Sequence, residues 1–188
     1  MVADCQNYYY FWGMEYNECD RYVQRKVHRL GGREYCGGHY FVTACTLNHK
    51  HHFGRIVDDE MHLSELGKIL HKHLTELPQR YTDVAVPVFV IMPNHIHCII
   101  EIAIGHLHLD ESVAAFTRSG MQRSRLAVVV GDIKSRLSKQ AKSMSYPFSW
   151  QRGYYDRVIR DRDKWTRIAQ YITTNPQNWT TDTLRHPK

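Results

Sequence analysis

The chain has no apolar run of the roughly 20 residues that a membrane-crossing helix needs. Its most apolar stretch, 84–104, is interrupted by Pro93, Asn94, His95, His97 and Glu101. The opening MVADCQNYYYFWGMEYNECD lacks the basic start and apolar core of an export signal. A cytoplasmic protein with no membrane partner is therefore expected. C-x-x-C is absent, and the five cysteines (Cys5, Cys19, Cys36, Cys45 and Cys98) are odd in number and scattered, which argues against a zinc ribbon or a disulfide framework. Cys45 and Cys98 lie in apolar runs, where a free thiol packs as a small hydrophobe. A Walker-type Gly-Lys loop is also missing, so nothing points to nucleotide hydrolysis. There is no internal repeat and no low-complexity segment.

The 188 residues are 43% hydrophobic and 12% aromatic, enough for one packed domain. The net charge of +6 is unevenly spread. Residues 1–117 carry ten Lys and Arg against fourteen Asp and Glu, a balance of −4; residues 118–188 carry fifteen against five, a balance of +10. A basic half on an acidic half is the footprint of a polyanion partner, although a solvated basic face gives the same count.

Residues 1–38 read as a peripheral arm and 39–188 as the domain. HYFVTACTL (39–47) reads as a strand and NHKHHF (48–53) as a polar turn. Residues 60–77 place Met61, Leu63, Leu66, Ile69, Leu70 and Leu74 at helical spacing, with the helical run starting at Ser64 and Glu65 and closed by Pro78. VAVPVFVIM (84–92) and HIHCIIEI (95–102) form two strands around Pro93–Asn94, an antiparallel hairpin. Pro87 implies a bulge or an edge position. Residues 103–121 read as a loop. A helix follows over 126–142, its start weakened by Gly131, then a loop and short strand over 147–159. A last helix spans 161–174, capped by Asp161 and stopped by Pro176. This order predicts an α+β ferredoxin-like sandwich, an antiparallel sheet with helices on one face plus a C-terminal helix.

In a strand, residues i and i+2 share a face, so His95 and His97 project together with Ile96 and Cys98 behind them. Two imidazoles at that spacing can hold a divalent ion. The spacing alone does not single them out, because His49–His51, His71–His73 and His106–His108 repeat it. The 95–97 pair differs in lying within the most apolar segment, directly after a tight turn, where imidazoles need partners.

The string VFVIMPNHIHCIIEI resembles the signature of the single-tyrosine HUH transposases. GGHYFVTACTLNHKHHFG, LSELGKIL, VVVGDIKSRLSK and WQRGYYDRVIRDRDKWTRIAQYITTNP follow in the order seen in that family's REP-associated branch, so the likeness covers about 28–178. It implies a metal-dependent single-strand DNA endonuclease and strand transferase acting through a covalent 5′-phosphotyrosine on hairpin or repeat DNA. The implied nucleophile is the tyrosine of the YIxxNP element, Tyr171. The implied metal ligands are His95, His97 and, four residues after the tyrosine, Asn175, where several relatives carry Gln. The implied ion is Mg²⁺ or Mn²⁺. Helical geometry agrees to the extent that Ile168, Tyr171 and Asn175 share one face. Tyr154 and Tyr155 remain open between aromatic packing and stacking on DNA bases. Phosphate contacts are expected from Lys134, Arg136, Lys139, Lys142, Arg152, Arg157 and Arg160, with Trp150 a further stacking residue. The family includes monomers and homodimers, and the sequence does not choose between them. Three other readings stay open: a non-catalytic ferredoxin-like nucleic-acid-binding module, a relaxase or rolling-circle initiator, and a domesticated transposase with a degraded site. The module gives no reason for MPNHIH, the initiators usually have longer chains, and intact His95, His97 and Tyr171 count against degradation.

Overall fold

A computed structural model describes residues 37–103 and 124–185; the N-terminal arm expected over 1–38 and the loop expected over 103–121 fall almost wholly outside them. The elements are β1 (Gly38–Cys45), β2 (Gly54–Val57), β3 (Glu60–Leu63), α1 (Glu65–Thr75), α2 (Leu77–Arg80), β4 (Val84–Ile91), β5 (His95–Ile102), α3 (Arg125–Ser143), β6 (Tyr155–Ile159) and α4 (Arg162–Thr174), with 3₁₀ turns at Leu47–His49 and Asn175–Thr181. Strands β4, β5, β1 and β6 form one antiparallel sheet in that order. This is the expected α+β ferredoxin-like arrangement.

The alternation of β1 and β5 divides the sheet into two faces. Tyr40, Val42 and Ala44 of β1, with Ile96, Cys98, Ile100 and Ile102 of β5, join Leu66, Leu70 and Leu74 of α1 and Val130, Ile133 and Leu137 of α3 in one core. Burial pushes the Cys98 thiol up to about 12, so it packs as an inert apolar group. The other face holds Phe41, Thr43, His95 and His97, because Thr43 pairs with His97 and Cys45 with His95. Helix α4 covers it, burying Ile168 and Ile172 and bringing the Tyr171 ring edge-on to Phe41 at 6.2 Å.

Local chemistry fixes the ends of these elements. Ser64 caps α1 by accepting from Gly67 N–H, and its hydroxyl donates to the His52 carbonyl at 2.7 Å. Gly67 allows α1 to approach this closely, since a Cβ there would overlap the Phe53 carbonyl oxygen. Phe53 N–H in turn donates to the Pro93 carbonyl at 3.0 Å, so the first helix, the 50–53 turn and the β4–β5 hairpin are tied in sequence. Asp161 caps α4 by accepting from Lys164 N–H at 2.8 Å.

Two sequence expectations need correction. Met61 and Leu63 do not belong to the helix: they lie in β3, paired with β2 as a small hairpin. Such a run fits a short strand as well as a helical face, and partner strands decide between them. Pro78 does not simply close α1; it opens α2 at a position where the missing N–H is no loss. Pro87 behaves as expected: β4 is an edge strand, and its register shifts between Ala85 and Val88. Pro176 lies in a 3₁₀ turn that continues directly from α4. Among the described residues, no helix is long and apolar enough to cross a membrane.

Candidate active site

His95 and His97 are buried side by side, their Nε2 atoms 3.1 Å apart. Each ring is held through its other nitrogen. His95 Nδ1 lies 2.8 Å from Asn94 Oδ1. Asn94 Nδ2 donates to the carbonyls of His49 at 3.1 Å and Leu184 at 2.6 Å. That leaves Asn94 Oδ1 as an acceptor, so the proton of His95 is assigned to Nδ1 and its Nε2 carries a lone pair. His97 Nδ1 lies 2.8 Å from Thr43 Oγ1. When the threonine hydroxyl accepts, the Nε2 of His97 is a lone pair as well. Burial holds both rings neutral: His95 is lowered to about 3, first by desolvation and then by His49 and His51, and His97 falls well below the usual imidazole value, first by desolvation and then by His95.

Two neutral imidazole nitrogens facing each other can supply two ligands to a divalent ion. Ligands about 2.1 Å from a hard divalent ion stand roughly 3 Å apart when adjacent, which is the spacing of this pair. Two buried side-chain oxygens are poorly satisfied, and the one on Asp182 adjoins the pair. Asn175 is buried, and its Oδ1 has no hydrogen-bond partner among the described residues. Asp182 Oδ1 accepts from Leu184 N–H at 2.7 Å, whereas its buried Oδ2 has no hydrogen bond and lies 3.6 Å from His95 Nε2. Desolvation raises the Asp182 carboxyl above its ordinary value, with His97 opposing that shift. Among the described residues no three His, Cys, Asp or Glu side chains form a closed ligand group. An ion at the histidine pair would therefore draw its other ligands from Asn175, from movement of Asp182, or from a bound anion.

Tyr171 stands at this centre. Its hydroxyl is 3.3 Å from His97 Nε2, and its ring is 5.3 Å from the His97 ring. It gets there because Ile168 and Ile172 anchor α4 against the sheet. Tyr155 sits on β6 opposite Thr43, edge-on to Phe41 at 6.2 Å; Arg157, opposite Phe41, shares that face. Tyr154 is half-buried against the main core on the opposite side.

The remaining basic and aromatic residues are dispersed. Lys134 Nζ donates to the carbonyls of Gln151 at 2.7 Å and Gly153 at 2.6 Å, and burial lowers it to about 8. Trp150 donates to the Lys134 carbonyl at 3.1 Å and packs on Phe53 and Phe148. This pair pins the loop before β6. Arg136 pairs with Asp132 one turn earlier on α3 at 2.8 Å. Lys139 and Lys142 are exposed on α3, and Arg152 and Arg160 are exposed at the two ends of the β6 segment. Sequence reasoning missed Thr43, Asn94 and Asp182. Asn94 sits inside MPNHIH and was readable as the buried group orienting the histidine beside it. Thr43 is found only through strand register, and Asp182 carries no local signal.

No family model matches the chain. A REP-associated tyrosine transposase bound to a REP hairpin shares the fold with a TM-score of 0.55 at 15% identity, over 82% of this chain and 74% of that one. A candidate transposase from Deinococcus radiodurans aligns with a TM-score of 0.41 and 16% identity over 79% of this chain and 96% of that one, too weakly to bear on the fold. An uncharacterised protein of Haemophilus influenzae is 33% identical over 153 residues, covering 78% of this chain and 84% of that protein. On that relationship the chain belongs to the same family as the Haemophilus influenzae protein, with a transposase-like fold.

Proposed function

We propose that the chain is a metal-dependent, single-strand DNA nickase and strand transferase that works through a phosphotyrosine at Tyr171. The observation that carries this reading is the Tyr171 hydroxyl 3.3 Å from His97 Nε2, where two buried neutral imidazoles face each other. A core tyrosine needs no such neighbours, and a binding module has no use for a neutral histidine pair in a buried face. Similarity to a transposase seen bound to a REP hairpin supports hairpin DNA as the partner class.

In this reading His95 and His97, with Asn175, hold Mg²⁺ or Mn²⁺. When bound, such an ion would supply Lewis-acid polarisation of the scissile phosphate. Asn94 and Thr43 keep the imidazoles in the ligating tautomer, as outer-shell partners do in metal sites generally. Helix α4 presents the Tyr171 oxygen to phosphorus. A bond forms between that oxygen and the phosphorus, the bond to the departing 3′ oxygen breaks, and the phenolic proton is exchanged for one on the freed 3′-hydroxyl. The phosphotyrosine keeps the phosphodiester energy, so rejoining to another strand requires no nucleotide cofactor. Tyr155 and Arg157, on the same face, would contact the strand beside the scissile phosphate.

The test is covalent capture. Purified protein is incubated with labelled hairpin DNA from the flanks of its own gene, with Mn²⁺ or with EDTA, and resolved on denaturing gels. The expected result is an adduct that requires metal, disappears in Tyr171→Phe and persists in Tyr155→Phe. Loss only in Tyr155→Phe would move the nucleophile to β6. DNA binding without any adduct would favour the binding-module reading.

A further inference from the structure

A groove of about 620 Å³ lies between the turn after β1 and the loop after α3, lined by Leu47, Lys50, His52, Lys142, Tyr146 and Phe148 among others. Its volume falls in the range of ligand sites, and three features set it apart. First, it carries two exposed lysines, Lys50 and Lys142, and no acidic side chain in its lining. Second, large apolar side chains are left exposed here. Leu47 is 46% exposed, Tyr146 39% and the adjoining Met144 42%; the described residues have one other such side chain, Val57. Third, the lining residue Ser145 is a non-glycine residue in the left-handed region at φ 52°, and Asn48 at 55° and His49 at 51° stand in the chain between the lining residues Leu47 and Lys50. Backbone held in that region collects at functional sites.

Side-chain and backbone contacts also cross-link the groove's lining. Tyr146 OH lies 3.2 Å from His52 Nδ1, and the two rings meet edge-on at 5.6 Å. Phe148 is edge-on to His52 at 5.3 Å. Leu47 N–H donates to the Ser149 carbonyl at 2.8 Å and ties the walls together. The same 47–52 turn braces the candidate active site, because the His49 carbonyl accepts from Asn94. One turn of chain therefore borders both places.

We propose that this groove takes an unpaired nucleotide of the DNA substrate, its base against Tyr146 and Leu47 and its phosphates facing Lys50 and Lys142. Paired lysines with an exposed aromatic are the elements that single strands use, since every base has a stacking face and every linkage a charge. A purely apolar partner would leave both ammonium groups uncompensated. The inference rests on the proposed nickase reading and names a part of its substrate path.

The test uses the full chain carrying Tyr171→Phe, so that binding is measured without covalent capture. Fluorescence anisotropy follows a labelled hairpin oligonucleotide with an unpaired tail and the same hairpin without it. Tyr146→Ala is expected to weaken binding of the tailed DNA about ten-fold and to leave the tailless hairpin unchanged. The Lys50→Ala, Lys142→Ala double variant is expected to lower the salt slope for tailed DNA by roughly 1.4, about 0.7 per single-strand phosphate contact. Tyr146 is exposed, so an unchanged urea midpoint is expected to accompany the effect. Variants that match the parent on tailed DNA, or lose affinity equally for both DNAs, would overturn the groove assignment. In the chain with Tyr171 restored, metal-dependent adduct formation separates that failure from failure of the nickase reading.

Discussion

Replacing Asn94 with alanine removes a side chain that joins the β4–β5 hairpin, the 47–49 turn and the 182–185 segment. Three hydrogen bonds go: two from Nδ2 to the His49 and Leu184 carbonyls and one from His95 Nδ1–H to Oδ1. Asn94 has no exposed surface, so water does not readily replace them. At about 1 kcal/mol net for each bond, the loss is about 3 kcal/mol. In a folded unit of this size that lowers Tm by roughly 6–12 °C. The effect on the site is separate from the effect on stability. Without Oδ1, the His95 ring can rotate or change tautomer, and removing such an outer-shell partner typically weakens metal affinity about 10- to 100-fold. Calorimetric titration with Mn²⁺ at a temperature where the variant is folded reads the second effect; urea unfolding without metal reads the first. Asn94→Asp keeps an acceptor for His95 but turns a carboxylate toward two carbonyls, so it should retain more affinity than Asn94→Ala while losing as much stability. Unchanged Mn²⁺ affinity in Asn94→Ala, beside the expected loss of stability, would refute the claim that this contact prepares His95 for a metal.

Acid should destabilise the metal-free fold. His95 binds its proton at about 3 when folded against 6.5 unfolded, so between those values the unfolded chain holds more protons and stability falls as pH falls. From pH 6.5 to pH 5 that one group contributes a loss of about 2 kcal/mol, His97 adds in the same direction, and a His95→Gln variant should show a shallower slope in urea melts across that range. Two glycines should respond oppositely to alanine. Gly131→Ala, with nothing within 4 Å of the new Cβ, should stabilise α3 by about 0.5–1 kcal/mol; Gly67→Ala drives its Cβ into the Phe53 carbonyl and should lower the urea midpoint, and equal effects at the two positions would contradict the packing of α1 on the 52–53 turn.

The sequence exposed the parts of this protein governed by short periods. Strict alternation around His95 and His97 placed both rings on one face, and the pairing of Thr43 with His97 and Cys45 with His95 makes that face a floor against the β1 strand. Asp161 was legible as a cap because capping is local, and Pro87 was legible as a bulge or edge position because a missing N–H has few places in a sheet. Met61 and Leu63 misled because three or four apolar residues satisfy either period. Lys134 marks a different limit. Lys134 looked like its neighbours on α3, yet two loop carbonyls hold its ammonium group, and no spacing rule distinguishes a lysine turned inward from one turned to solvent.

Asp182 is the clearest case of what local pattern cannot reach. It lies 85 positions after His97 in a 3₁₀-terminated segment, and only the folded chain sets its carboxylate 3.6 Å from His95 Nε2. A buried carboxylate oxygen with no hydrogen bond is costly unless a positive charge compensates it. Neither histidine supplies that charge, because burial keeps both neutral. In the metal-bound reading, a cation beside the two histidines would compensate the Asp182 oxygen. If His95 both ligates that cation and carries the lowered folded value of about 3, the affinity for Mn²⁺ and the acid sensitivity of the fold should fall together when His95 is replaced.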